Sequence, residues 1–334
     1  MSDNLILKVD GLHSGFKIDN VYLEAVGGVS FQLQVGRTLG VVGESGCGKS
    51  ATAHSILQLL PNYGQIKGGS VTYYPKDGQP VELTSLKKNG REMRRIRGKE
   101  ISMIFQDPMS SLNPVYTVGN QIVENIREHQ KIGRKEAMEM ARQLLEDLEI
   151  PSAEERLQDY PHQFSGGMKQ RVMIATAMAC NPRVLIADEP TTALDVTIQA
   201  QIITLMKKMQ REHGTAIMMI THNMGLIAEM ADDVAVMYMG HIVEMGSIRQ
   251  VMKNPRHPYT KGLLRSVPCL GQKLERLHCI PGSTPSLQDR PEGCEYADRC
   301  EYASEQCRKS PRLTEIEPGH VVRCWNYKEV PEHE

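Results

Sequence analysis

Five short, almost unbroken apolar runs recur along the chain: TLGVV (38–42), ISMIF (101–105), VLIAD (184–188), AIMMI (216–220) and VAVMYM (234–239). A strand buried on both faces loses the polar–apolar alternation of a half-exposed one, so these runs predict a sheet covered on each side, with helices between its strands. Two early segments, LILKVDGL and EAVGGVSFQLQVG, alternate and carry glycines, which predicts an antiparallel portion. From about 115 to 182 the pattern turns helical: RKEAMEMARQLLEDLEI has apolar residues at helical spacing, and SAEE (152–155) reads as a capping box. After about 250 the texture changes again. KNPRHPYT, VPCLG, CIPGSTPSLQDRPEG and KSPRL concentrate Pro and Gly, and such a tail cannot easily build an apolar core of its own.

Composition adds bounds. At 334 residues the chain is too long for one small domain, and a main domain with an appendage is expected. The net charge of −1 gives no global field to attract nucleic acid or an anionic membrane. The 19 Met read as core fillers. No apolar run approaches the roughly 20 residues that cross a bilayer, and the start MSDNLILKVDGLHSGF lacks the pattern of a signal peptide. The expectation is therefore a reducing, cytoplasmic setting, where the 8 Cys need another explanation than disulfides.

Chemistry enters with GESGCGKS (43–50), which satisfies G-x-x-x-x-G-K-[ST] at every fixed position between a strand and a helix. Glycines let successive backbone N–H groups turn inward around an anion, and the helix start adds partial positive charge. Gly43, Glu44, Ser45, Gly46, Cys47, Gly48, Lys49, Ser50 and Ala51 are the expected phosphate-binding set, with Lys49 on the β- and γ-phosphates and Ser50 on Mg²⁺. Cys47 reads as a small filler inside the loop. In VLIADEP, Asp188 can hold Mg²⁺, and Glu189 is placed to orient or deprotonate an attacking water. Farther on, Cys294, Cys300, Cys307 and Cys324 make the spacing C-x5-C-x6-C-x16-C. Four thiolates on a tail without a core read as ligands, and residue chemistry alone leaves an iron–sulfur cluster, zinc or free thiols open. Cys180, Cys269 and Cys279 read as ordinary thiols.

The order of further motifs narrows the class. MIFQDPMSSLNP places Gln106 after a strand; FSGGMKQR carries Ser165, Gly166 and Gly167; TTALD ends at Asp195; MMITHN ends a buried run at His222. P-loop, Gln, Ser-Gly-Gly, Asp-Glu, Ala-Leu-Asp and His in this order resemble the nucleotide-binding domain of the ATP-binding cassette (ABC) family over about residues 5–250. The resemblance implies an α/β P-loop NTPase: a RecA-like core, an antiparallel β subdomain and a helical subdomain at about 108–180. It makes Gln106 the Q-loop glutamine on Mg²⁺ and water, Ser165–Gly167 the signature that meets ATP held by a second subunit, Asp195 the D-loop aspartate, and His222 the γ-phosphate switch. Phe16 is expected to stack on adenine, with Tyr22 the rival and core packing of either ring the simpler alternative. Three departures stand out: Phe164 and Met168 flank the Ser-Gly-Gly where Leu and Gln are common, and Asn223 follows His222 where Asp is common.

The tail resembles the C-terminal extension of dipeptide and oligopeptide importer ATPases, through NPRHPYTKGLLRSVP and RPEGCEYADRCEYASEQC. That likeness implies a small irregular extension over 251–334 in which the four cysteines hold a [4Fe–4S] cluster. It also implies a peripheral ATPase on the cytoplasmic face of the membrane. Its partners would be a second ABC ATPase subunit (a related paralogue or an identical copy), two integral permeases and, indirectly, an extracytoplasmic peptide-binding protein. An importer of nickel or another small solute is the alternative. A soluble ABC ATPase acting on DNA or ribosomes fits less well, since the chain has neither long coiled-coil insertions nor a second cassette.

Overall fold

The computed structural model describes residues 4–107, 111–191, 194–266 and 279–331. Two long strands, β1 (Leu5–Ile18) and β2 (Val21–Gln34), form an antiparallel hairpin. Its two turn residues, Asp19 and Asn20, take left-handed backbone angles (φ 47 and 64), which the tight turn requires and these residue types tolerate. The chain then enters the core as β3 (Thr38–Val42) and α1 (Lys49–Ile56), and returns to the hairpin as β4 (Gly64–Tyr73) and β5 (Val81–Glu82). These make a four-stranded sheet in the order β2-β1-β4-β5, the expected antiparallel portion.

Next come α2 (Arg91–Ile96) and β6 (Ile101–Ile104). A helical layer follows: α3 (Val118–His129), α4 (Arg134–Asp147), α5 (Ala153–Arg156) and α6 (Gly166–Met178). The expected capping box at 152–155 is not made. Ser152 sits at φ 52, outside the extended region a cap needs, and its side chain caps nothing. The working caps are Thr117, which accepts from Asn120 N, and Ser165, which accepts from Met168 N.

The core continues with β7 (Val184–Asp188), α7 (Val196–His213), β8 (Ala216–Thr221), α8 (Met224–Met230), β9 (Asp233–Tyr238), β10 (His241–Ser247), α9 (Ile248–Lys253) and α10 (Pro258–Arg265). Two short strands close the fold, β11 (Thr314–Glu317) and β12 (His320–Val322). The large sheet runs β11-β12-β10-β9-β3-β8-β7-β6. Pairing is parallel from β9 through β3, β8 and β7 to β6. The five apolar runs supply its parallel strands, β9, β3, β8, β7 and the edge strand β6, and every residue of β3, β6, β7 and β8 is buried. One face packs on the helical layer and the other on the antiparallel sheet, and Met218, Met219 and Met237 fill these cores as expected. Among the described residues no helix is long and apolar enough to cross a membrane.

The tail builds no core of its own. Instead β12 hydrogen-bonds to β10, and α10 buries Tyr259 and Leu264 against the main body.

Candidate active site

The loop after β3 is shaped by glycine at two close approaches. A Cβ on Gly43 would lie 2.2 Å from the Met237 carbonyl oxygen, and one on Gly48 would lie 2.4 Å from that of Ala25. Cys47, fully buried, accepts from Gly240 N through its carbonyl (2.8 Å), which pins the loop to the β9–β10 turn. Burial pushes its thiol up, so it acts as the expected filler. Lys49 is buried, and its ammonium donates to the carbonyls of Gly43 (2.7 Å) and Glu44 (2.9 Å) inside the loop's curve. Ser45 and Gly46 are exposed at the tip, while Ala51 is half-buried in the first turn of α1.

At the end of β7, Asp188 is almost wholly buried and its Oδ1 has no hydrogen-bond partner. Burial raises its pKa; the Ser50 hydroxyl, His54 and Lys49 oppose that rise, and neighbouring Glu189 reinforces it. A buried carboxylate oxygen without a partner is costly. A divalent cation between Ser50 and Asp188 would remove that cost, so the donor set fits Mg²⁺.

Glu189 follows at φ 46, an uncommon backbone conformation for a residue other than glycine. Its backbone N–H donates to Ile220 O (2.9 Å), fastening the end of β7 to β8. One carboxylate oxygen accepts from Gln106 Nε2 and the other meets His222 Nδ1, both at 3.1 Å. For that second bond to an ionised carboxylate, His222 carries its proton on Nδ1. The three residues come together because β6, β7 and β8 are adjacent and parallel, so the positions just past their carboxyl ends share one edge of the sheet. Asn223 caps α8 by accepting from Gly225 N (2.9 Å) and Leu226 N (3.4 Å).

The Ser-Gly-Gly segment lies elsewhere. Ser165 caps α6, and both Ser165 and Gly166 are exposed. Among the described residues no hydrogen bond joins Ser165, Gly166 or Gly167 to the 43–50 loop of the same chain. Gln170 on α6 donates to Pro190 O, linking this helix to the Asp-Glu turn. Asp195 caps α7 by accepting from Ile198 N (3.0 Å), and beside it Val196 is 81% exposed. The unusual flanks are explained by packing: Phe164 is buried with Arg156 over its ring, and Met168 packs against the core. Phe16, on β1, is half-buried with its ring 5.8 Å from that of Tyr63, while Tyr22 lies under Lys67.

Glu44 has partners that no motif announced. Arg299 donates to both carboxylate oxygens (2.7 and 2.9 Å), and Thr284 adds a third bond (3.1 Å). The Glu44 backbone N–H donates to Tyr259 Oη (2.7 Å). Burial works against ionisation of Glu44, but the Arg299 hydrogen bonds and charge outweigh it and hold the carboxyl below its ordinary range. These partners lie 215 to 255 positions along the chain, so local spacing carries no signal of them.

The four cysteines of the tail are brought near one another. Cys294 N donates to Cys307 O (2.8 Å), and Cys300 closes a turn back to Ala297 O (3.1 Å). Burial pushes Cys300 up to about 11 and Cys324 up to about 12, and the charge of the neighbouring thiols adds to both rises. Yet among the described residues no three His, Cys, Asp or Glu side chains are grouped closely enough to hold a metal ion. The thiols converge without closing on a shared centre. Cys180 is half-buried and Cys279 exposed, whereas Cys269 lies outside the described residues.

Comparison with known proteins matches residues 26–192 to the ABC transporter family and residues 243–307 to the C-terminal region of oligopeptide/dipeptide transporters. A putative peptide import ATP-binding protein of Brucella abortus is 48% identical, with 99% of each chain covered. The dipeptide transport ATP-binding protein DppD of Bacillus subtilis is 47% identical over 98% of this chain and 96% of that one. The oligopeptide transport ATP-binding protein OppD of Salmonella typhimurium is 45% identical over 96% and 94%. Among solved structures, a dimeric ATP-binding cassette in a post-hydrolysis state, bound to ADP and phosphate, superposes with a TM-score of 0.64 at 25% identity. That match covers 73% of this chain and 99% of the other.

Proposed function

From the premise that this chain belongs to the peptide-import ATP-binding proteins of the ABC transporter family, we propose that it hydrolyses ATP as one half of a dimer and thereby drives import of di- or oligopeptides. The observation that carries the reading is the Glu189 carboxylate held between Gln106 and His222, one residue beyond the buried Asp188. Gly43 to Ala51 cradle the phosphates, with the Lys49 ammonium exchanging its loop carbonyls for phosphate oxygens. Glu189 takes a proton from the attacking water, Gln106 orients that water, and His222 meets the γ-phosphate. Ser50, Asp188 and Gln106 would hold Mg²⁺, which supplies charge neutralisation on the phosphoryl oxygens. Phe16 supplies the adenine contact.

Ser165 and Gly166 stand exposed, with no hydrogen bond to the chain's own phosphate loop among the described residues, and Gly167 is half-buried beside Ile198; Asp195 and Val196 lie on exposed surface nearby. We assign them to the ATP of a facing subunit, so that ATP closes two chains and hydrolysis reopens them. The exposed apolar side chains Val115, Tyr116 and Tyr160 suit contact with a permease at the cytoplasmic membrane face.

For Cys294, Cys300, Cys307 and Cys324 the reading is a [4Fe–4S] cluster. Zinc needs its sulfurs about 2.3 Å from one centre, whereas each cysteine on a four-iron cluster binds its own iron. Four soft thiolates whose charges interact suit such a cluster, and the likeness of the tail to that of peptide importers supports it over zinc. Anaerobically purified chain should be brown with iron and sulfide bound; a colourless, zinc-loaded chain overturns this.

The test of the main reading is Glu189→Gln. Turnover should fall by about 10²–10⁴, the usual contribution of a general base, and ATP should shift the variant to a stable dimer in size-exclusion chromatography. Wild-type turnover by that variant, or hydrolysis by a demonstrable monomer, sinks it.

A further inference from the structure

An ionised carboxylate on a loop that gathers phosphate is electrostatically misplaced. Glu44 sits next to Gly43 in that loop, and the Lys49 ammonium rests 2.9 Å from the Glu44 carbonyl oxygen. An unrestrained Glu44 side chain would compete with phosphate for that ammonium. In this fold the charge is answered from the tail. Arg299 is itself 9% exposed and locked on every side. Its Nε donates to Pro281 O (2.8 Å), and its two terminal nitrogens fork onto Glu44. Its guanidinium lies 5.8 Å from the ring centres of both Tyr238 and Tyr296. The loop backbone is gripped as well, through Glu44 N and Tyr259 Oη on α10.

The place of Arg299 in the chain gives this contact its meaning. It ends a short 3₁₀ helix, Ala297–Arg299, and immediately precedes Cys300. That turn is tied by Ala297 N to Cys294 O (3.0 Å) and by Cys300 N to Ala297 O (3.1 Å). Anything that displaces these cysteines moves Arg299, and moving Arg299 uncovers the Glu44 charge beside Lys49.

We propose that Arg299 is a positioning residue for nucleotide: by neutralising Glu44 and holding it aside, it makes the affinity of the phosphate loop for a nucleoside triphosphate depend on the integrity of the four-cysteine tail. The proposal rests on the nucleotide role of the 43–50 loop and not on which group the cysteines hold. It separates charge from mere shape. Removing Arg299 exposes a negative charge, so ATP suffers more than ADP, and deleting the Glu44 carboxylate as well cancels the effect.

The test is direct binding of Mg-ATP and Mg-ADP to the full chain by calorimetry, with thermal melting as a folding control. Arg299→Met should weaken ATP about tenfold, a typical coupling between linked sites, and ADP less. In a Glu44→Gln background the same substitution should change ATP affinity by less than about threefold. Cys324→Ser should weaken ATP in the same direction, and should add nothing once Arg299 is Met. Wild-type ATP affinity in Arg299→Met overturns the proposal, as does an equal loss with and without the Glu44 carboxylate; the nucleotide-site reading survives either result. Failure of the wild-type chain to bind ATP removes both. Should Arg299→Met not fold, Glu44→Gln carries the test. With no carboxylate to uncover, Cys324→Ser must then leave ATP affinity unchanged, and a loss overturns the proposal.

Discussion

The phosphate loop and the cysteine-bearing tail are both short on regular structure, yet different forces hold them. In the loop, three glycines and a lysine within eight residues create the geometry locally, and neighbouring backbone groups complete it. In the tail, order comes from buried charged side chains that reach far along the chain. Glu244 on β10, fully buried, accepts from Arg256 N (2.7 Å) and His257 N (2.9 Å) and bonds His320 Nε2 (2.8 Å). Arg290 clasps the carbonyls of Glu24 (2.9 Å) and Met239 (2.8 Å), and Glu295 sits between Arg323 and His241. A segment with its own dihedral logic needs few partners. One without it must borrow its conformation from the body it docks on.

The contrast is broken most severely at Glu244. Glu244→Ala strips three hydrogen bonds from a dry site and should cost about 3–5 kcal/mol, the scale of breaking a buried pair. Denaturant titration measures this, and limited proteolysis should show cuts in the tail first. A loss below about 1 kcal/mol would mean that the tail supports itself as the loop does.

A medium effect is expected from acid. Burial holds His257 down to about 3, with the Arg323 charge adding to the depression and Glu295 opposing it. The ring is therefore neutral when folded but titrates near its ordinary 6.5 when unfolded. Below that pH the unfolded chain binds the extra proton. Stability should then fall by up to about 1.4 kcal/mol per pH unit until pH nears the folded value. His257 Nδ1 accepts from Tyr259 N (3.1 Å) at the start of α10. His257→Asn keeps a cap acceptor without the proton, so its stability should vary less with pH over that window. An unchanged slope in thermal melts would show that His257 does not tie the tail to pH.

The smallest effect is expected beside His222, at the proposed nucleotide site. Asn223→Asp restores the acid common in the family, but Asn already caps α8, and the two residues cap almost equally. Melting should register a change below about 0.5 kcal/mol. A larger shift would show that charge beside His222, and not local capping, governs this turn.

Much of the fold is legible in the sequence, because burial on both faces of a strand leaves its mark within five residues. TLGVV and VLIAD became β3 and β7 at the predicted bounds. The capping box at Ser152 failed because residue types do not report φ, and a left-handed residue cannot cap. The three-residue strand His320–Val322 was illegible, since so short a run has no period to detect.

What the sequence alone determined is whatever a few consecutive residues can specify: the phosphate loop, the Asp188–Glu189 pair at a strand end, and the four cysteines. What only the tertiary structure decided is which of these meet. Gln106, Glu189 and His222, separated by 83 and 33 positions, converge because strand order in the sheet brings three carboxyl ends side by side. Arg299 finds Glu44 across 255 positions because the tail docks on the β9–β10 side of the same sheet. Dihedral preferences and hydrophobic period act over one or two turns of chain; packing acts over the whole molecule, and charge pairing follows packing.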